Sequence, residues 1–378
     1  MKIAFVINRD NHYKFIGNIV EEFLKKGHTV YLFHFHNYQM LTWPKGFYFP
    51  NLSKQPFFIN DNGNNVHSAI FRDTNDLKEI IGSLDISCIL CLHPREKYNF
   101  FEMNIPWFTV QHGWDIIFDI NRFQTYSCDG LFIYNKKMLK GCQKKIEFPV
   151  IESGPFHLEY EPINKEDIRF KYGLPNKKII IYLPFLKKHG SFNRIQRMIH
   201  PWFRKKERDI LSQIKNYCEK QDMLLIIKSR YKMIMEDVYK NYGIVLYDEI
   251  NYPSTMYELL NLSDLIIYPY YTDTVYEAIY YQNKCLKIYY PLIDKTLSRS
   301  MRNLLGNEYF LEFYQPIELM KTIHYQKFTI SFLDAYIQEP YPKNVSMRYV
   351  KNYCLPETQE QGFSESIIHY ISKNISKR

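Results

Sequence analysis

Lys2-Ile3-Ala4-Phe5-Val6-Ile7, then Phe15-Ile16-Gly17-Asn18-Ile19-Val20-Glu21-Glu22-Phe23-Leu24-Lys25-Lys26-Gly27, then Thr29-Val30-Tyr31-Leu32-Phe33 is the stretch that decides the architecture. Its two outer segments are short continuous apolar runs, the pattern of strands buried in a parallel sheet. The middle segment has apolar residues at helical spacing, a basic last turn and a Gly stop. Strand, helix and strand together read as a nucleotide-binding-like βαβ unit. The glycine fingerprint of dinucleotide sites is missing from it, which argues against tight dinucleotide binding here.

The same alternation continues in both domains of the chain. Strands are expected at Ala69-Ile70-Phe71, Ile86 to Leu92, Trp107 to Val110, Gly130 to Tyr134 and Phe148 to Pro155. Gly154-Pro155 breaks regular structure and polar sequence follows it, so a domain boundary is expected near residue 155. A second set comprises strands at Lys178 to Pro184, Met223 to Lys228, Ile244 to Tyr247, Asp264 to Tyr268 and Cys285 to Tyr289. Helices are expected between them near 207 to 220, at Ser254 to Leu262 and at Thr274 to Gln282. The expectation is an α/β protein of two Rossmann-like domains facing a central cleft, 1–155 and 156–325. A tail, 326–378, is helical at its end and packs back on the domains.

Composition bounds the function. With 378 residues, 46% hydrophobic and 24% charged, the chain suits two packed domains and excludes a disordered or fibrous protein. Seven cysteines are an odd number, most of them in apolar runs, as reduced thiols of a cytoplasmic protein are. Cys88 and Cys91 form a C-x-x-C, yet Ile89 and Leu90 between them indicate a buried strand, and no metal site is expected. The first apolar run is too short for a signal peptide, and no run approaches a membrane span. An excess of 49 Lys and Arg over 40 Asp and Glu, net +9, calls for an anionic partner. Nucleic acid, a phosphate-bearing small molecule, a polymer and a membrane surface all satisfy it.

Four places carry chemistry. His112, in Val110-Gln111-His112-Gly113-Trp114, follows a buried strand, where an imidazole projects into a crevice and can remove a hydroxyl proton near neutral pH. The alternative is a histidine that only shapes the loop. Lys228-Ser229-Arg230 ends another strand and suits an oxyanion, or else is a solvated basic turn. In the turn Tyr270-Tyr271-Thr272-Asp273-Thr274, hydroxyls and helix-end amides suit a pyrophosphate, with Glu277 one turn inside for ribose hydroxyls. Simple capping by Asp273 or Thr274 and Glu277 is the alternative. Finally, Lys187, Lys188, Arg194, Arg197, Arg204, Lys205, Lys206 and Arg208 accompany an apolar stripe of Ile195, Met198, Ile199, Trp202 and Phe203, which suits an anionic membrane or ordinary packing. Pro201 is expected to interrupt that helix.

Taken in order, Gln111-His112-Gly113, Ser153-Gly154-Pro155, Lys171-Tyr172-Gly173-Leu174-Pro175 before Ile180-Ile181-Tyr182-Leu183-Pro184, and Ser263-Asp264-Leu265-Ile266-Ile267 before the Thr272 to Glu277 turn resemble the GT-B glycosyltransferase superfamily. Within it the chain is most similar to bacterial CDP-glycerol glycerophosphotransferase-like and capsular polysaccharide transferases. The resemblance implies that His112 is the acceptor-side base, and that Lys228, Ser229 and Arg230 lie near donor phosphates. It also implies that Thr272, Asp273 and Thr274 cradle a pyrophosphate and that Glu277 meets a ribose. Lys187, Lys188 and Gly113 are expected as further phosphate or acceptor contacts. The pattern's Thr-Trp-Arg is replaced by Phe185-Leu186-Lys187, and its Asp-Tyr-Ser-Ser by Tyr270-Tyr271-Thr272-Asp273, so a nucleotide sugar is as admissible a donor as CDP-glycerol.

The expected activity is transfer of a sugar or polyol phosphate from a nucleotide-activated donor to a glycan or lipid-linked acceptor of the cell envelope or capsule. It would need no cofactor and, since no Asp-x-Asp occurs, no metal. It would take place in the cytoplasm, with peripheral contact with an anionic membrane. A sugar-nucleotide epimerase is the enzyme alternative, and a polyanion-binding protein the other. No helix-turn-helix, zinc or RNP-like motif supports nucleic acid.

Overall fold

A computed structural model describes residues 1–8, 12–35, 65–98, 104–111, 126–142, 145–160, 164–184, 194–228, 237–246, 254–269, 272–291, 318–358 and 362–376, with positions 58, 63, 116, 120, 121, 252 and 303 besides. The chain forms two compact units. Unit 1 comprises residues 1–161, 250–253 and 351–378, and unit 2 comprises residues 162–249 and 254–350.

Unit 1 holds a seven-stranded sheet of β1 (Lys2–Ile7), β2 (Thr29–Phe35), β3 (Val66–Phe71), β4 (Cys88–Cys91), β5 (Trp107–Val110), β6 (Gly130–Ile133) and β7 (Val150–Glu152). Their order is β3-β2-β1-β4-β5-β6-β7, every pair parallel, with Phe5 opposite both Leu32 and Leu90. β4, β5 and β6 are buried along their whole length because helices cover a parallel sheet on both faces. α1 (Tyr13–Lys25) crosses from β1 to β2 and stops before Gly27, whose φ of +74° suits glycine. α2 (Thr74–Gly82) is capped by Asp73, whose carboxylate accepts from the Asn75 and Asp76 amides. The winding reverses between β1 and β4, which is the switch point of this sheet.

Unit 2 repeats the plan with α3 (Lys165–Tyr172), β8 (Ile179–Tyr182), α4 (Arg194–Lys220), β9 (Leu224–Lys228), β10 (Ile244–Leu246), α5 (Thr255–Leu262), β11 (Leu265–Tyr268), α6 (Thr274–Tyr280), β12 (Lys284–Tyr289), β13 (Met320–His324), α7 (Ile330–Gln338) and α8 (Lys343–Tyr353). The sheet order is β10-β9-β8-β11-β12-β13, all parallel, and its switch point lies between β8 and β11. Ile180, Ile227, Ile267, Leu286 and Ile288 from the sheet pack with Phe203, Leu211 and Ile214 of α4.

Three differences from the sequence reading have physical causes. The chain leaves unit 1 after Glu161 instead of Pro155, because Asn18 of α1 donates to the carbonyls of Phe156 (2.8 Å) and Glu159 (2.9 Å) and holds that segment down. α4 starts at Arg194 and runs across Pro201 without a break, since burial of Phe203, Ile210, Leu211 and Ile214 outweighs one lost backbone bond. Residues 326–350 of the expected tail belong to unit 2 as α7 and α8, and only the last helix, α9 (Phe363–Ile375), returns to unit 1. There the Glu159 carboxylate accepts from the amides of Phe363 (2.6 Å) and Ser364 (2.7 Å), and Lys26 pairs with Glu365 at 2.9 Å. Gly154, at φ +66°, leaves room for the Phe363 ring, which a Cβ there would approach to 2.3 Å.

Candidate functional site

In a doubly wound sheet, ligands meet the carboxyl ends of the strands at the switch point. In unit 2 that position is occupied by the turn between β11 and α6. Thr272 and Thr274 bring their hydroxyls to 3.5 Å from each other. Asp273 has helical backbone angles, and its side chain makes no capping bond to α6. Glu277, one turn inside α6, is 1% exposed. Lys228, the last residue of β9, is 4% exposed and lies at the same edge of the sheet, with β8 between. Unit 2 also buries Lys287 in β12, opposite Tyr268 of β11. Burying charge is costly unless it is compensated, and unit 2 buries Lys228 at the end of β9, Lys287 within β12 and Glu277 in α6.

The support of this edge is a buried network. Tyr182, the last residue of β8, donates to Glu207 Oε1 at 3.0 Å, and Tyr239 donates to Glu207 Oε2 at 2.7 Å. The Arg204 guanidinium donates to the Tyr239 hydroxyl and lies over its ring, 5.5 Å from the centroid. Burial, and then the Glu207 carboxylate, hold the Tyr182 hydroxyl well above the ordinary phenol range. The α4 stripe is therefore divided. Phe203, Arg204 and Glu207 face the core, whereas Lys205 and Arg208 are exposed.

The structure thus brings Lys228 to the sheet edge that also carries Thr272, Asp273, Thr274 and Glu277. His112, Gly113, Lys187, Lys188, Ser229 and Arg230 lie outside the described residues. The backbone entering His112 is anchored nonetheless. Gln111 donates from its amide to Phe132 O at 2.9 Å, and its side-chain Oε1 accepts from the Tyr134 amide at 2.9 Å, tying β5 to β6.

Unit 1 holds a second constellation that the sequence reading missed. At the carboxyl ends of β1 and β4 sit Asn8, His12, His93 and Tyr98, all buried. Tyr98 donates to Asn8 Oδ1 at 2.5 Å, and the rings of His12 and His93 meet edge-on with centroids 5.6 Å apart. The His93 carbonyl accepts from Trp107 Nε1 at 3.0 Å. Beside them, the Tyr13 hydroxyl and His34 Nε2 are 2.8 Å apart, and burial holds the His34 imidazole down to about 4. Asn8 and His93 follow strands just as His112 does. The missing signal was adjacency, because β1 pairs with β4 across two intervening strands of sequence.

No protein-family model and no curated protein matches the sequence. Solved structures do match in fold. The wall teichoic acid polymerase TagF aligns over 100% of this chain and 89% of its own, with 14% identity and a TM-score of 0.62. Arabidopsis thaliana UGT89C1 in complex with UDP aligns over 100% and 98%, with 11% identity and a TM-score of 0.59. A Listeria monocytogenes protein provisionally described as a UDP-N-acetylglucosamine 2-epimerase aligns over 100% and 97%, with 10% identity and a TM-score of 0.55. The chain has the GT-B fold.

Proposed function

We propose that this GT-B-fold chain is a transferase that moves a sugar or polyol-phosphate group from a nucleotide-activated donor to a hydroxyl of a cell-envelope acceptor. The observation that carries the reading is the edge of unit 2, where buried Lys228 accompanies the Thr272-Asp273-Thr274 turn and Glu277. Two of the structures of like fold support it, one a teichoic acid polymerase and one a UDP complex. Unit 2 also carries the charge, with 28 Lys and Arg against 20 Asp and Glu, whereas unit 1 has 21 against 20.

In this reading unit 2 holds the nucleotide diphosphate. Lys228, Ser229 and Arg230 meet its phosphates, Thr272, Asp273 and Thr274 cradle the pyrophosphate, and Glu277 accepts from ribose hydroxyls. Lys187 and Lys188 are further phosphate contacts. His112 takes the proton of the acceptor hydroxyl while the acceptor oxygen bonds to the transferred group and the nucleotide leaves as its phosphate anion. Cations and amides then do what a divalent metal does elsewhere, in keeping with a sequence that lacks Asp-x-Asp. Exposed Lys205 and Arg208 would face an anionic membrane from the cytoplasmic side.

Calorimetric titration with CDP, UDP and GDP tests the donor half. One nucleotide binds, and Lys228→Met weakens it about 10- to 100-fold. Unchanged affinity in that variant removes Lys228 from the site. A transfer assay with EDTA present tests the other half, with His112→Ala expected to lower the rate about 10²- to 10⁴-fold. The epimerase reading has its own support in the Listeria protein of like fold. Product formation from a nucleotide sugar without any acceptor would establish it instead.

A further inference from the structure

Each sheet ends in two edge strands, β3 and β7 in unit 1, β10 and β13 in unit 2. A bare edge is a template for another chain, and natural sheets blunt theirs with short strands or charges. β7 and β10 stop at three residues each, and β13 carries Lys321. β3 has neither device. It reads Val66-His67-Ser68-Ala69-Ile70-Phe71, six residues without Lys, Arg, Asp, Glu or Pro.

The ladder fixes which groups of β3 face outward. Val30 donates to Asn65 O at 2.8 Å and pairs in parallel with Val66, so His67, Ala69 and Phe71 turn their amides toward β2. Val66, Ser68 and Ile70 turn their amides and carbonyls away from it, and no described residue meets them there. Their side chains are open too. Ser68 and Ile70 are both exposed, and Ile70, at 39%, is one of four exposed large hydrophobic residues among those described.

This outward set is complementary to itself. With a second β3 laid antiparallel about a two-fold axis at Ser68, Val66 lies opposite Ile70 of the second copy, Ser68 opposite Ser68, and Ile70 opposite Val66. These are hydrogen-bonded pairs, each exchanging two bonds, so every outward amide and carbonyl is satisfied at once. The same register covers each exposed Ile70 with a β-branched valine. No fixed charges oppose one another, because β3 carries none, Arg72 beyond it is held by Asp76 at 3.4 Å, and Asp73 caps α2. On a chain of net +9, a strand without fixed charge is where two copies can approach.

We propose that β3 is a dimerisation edge, on which a second copy of this chain pairs its own β3 antiparallel and joins the two seven-stranded sheets into one. The carboxyl ends of the two sheets then point in opposite directions, so each copy keeps its β1/β4 switch point to itself. The pairing is independent of the transferase reading.

Sedimentation velocity of the full chain at about 1–100 μM is the test, with a concentration-dependent shift from one chain to two expected. Ser68→Lys and Ser68→Glu each set like charges opposite one another at the axis, and each should weaken association about fivefold or more. An equimolar mixture of the two variants should pair again, a rescue that loss of fold would not give. In the unaltered protein, deuterium uptake by residues 66–71 should slow as concentration rises while uptake by β13 stays constant, a readout that needs no variant. A chain that remains monomeric throughout, a dimer indifferent to both substitutions, a mixture that does not recover, or uptake at 66–71 that ignores concentration would overturn the proposal.

Discussion

The two units share a topology and differ in the side chains they place at its switch point. Each is a parallel sheet whose winding reverses at its first strand, β1 in unit 1 and β8 in unit 2. At that reversal unit 1 gathers imidazoles and an amide, whereas unit 2 presents threonine hydroxyls and an aspartate beside a buried lysine and glutamate. The net charges follow suit, with nearly all of the +9 in unit 2. One architecture therefore carries an imidazole-and-amide cluster at one switch point and a lysine, glutamate and threonine set at the other, and the choice lies in a handful of strand-end residues. Full charges at strand ends suit a diphosphate.

The largest expected break in this comparison is Glu207→Ala. It leaves two buried tyrosine hydroxyls without their acceptor and removes the buried carboxylate of the network that includes Arg204, and should cost about 3–5 kcal/mol in urea unfolding followed by unit 2 probes. A loss below 1 kcal/mol would mean that the network does not bear on stability. Next, acid should strike unit 1 through His34. Its imidazole is held down to about 4 in the fold against 6.5 ordinarily, so the unfolded chain binds the proton first as the pH falls. The stability it contributes is complete above pH 6.5 and is lost between 6.5 and 4, about 3 kcal/mol in all. His34→Gln should flatten that part of the pH profile, and an unchanged slope would place the acid sensitivity elsewhere. The smallest effect sharpens the contrast between two aspartates. Asp73 caps α2 through its carboxylate whereas Asp273 makes no side-chain cap bond to α6, so Asp73→Ala should cost about 1 kcal/mol of capping while Asp273→Ala loses no cap and shows in nucleotide affinity. Equal losses in thermal unfolding would return Asp273 to a structural role.

Much of this was legible in the sequence, for stated reasons. Buried parallel strands such as Ile179–Tyr182 and Leu265–Tyr268 are continuous apolar runs and need no partner to be recognised. α3, by contrast, is polar on nearly all faces, with only Ile168 buried, and its periodicity is too weak to find. The better signs were Asn164, which caps it, and Gly173, which closes it at φ +62°. β13 is a five-residue run with two lysine and histidine positions among its apolar ones, and only pairing with β12 makes it a strand. The site residues of unit 2 follow strands and could be chosen one by one. The unit 1 cluster could not, because Asn8 and His93 become neighbours only once β1 and β4 pair.

The return of α9 to unit 1 bears on synthesis. Glu159 caps a helix that begins some two hundred residues later, and α1 is tied to it through Lys26 and Glu365. A ribosome moving at roughly 5–20 residues per second takes about 10–40 s to travel from one partner to the other. During that interval the first-made sheet waits with its α9 face open, and the second unit finishes before the first. Unit 1 is thus complete only once α9 has been made.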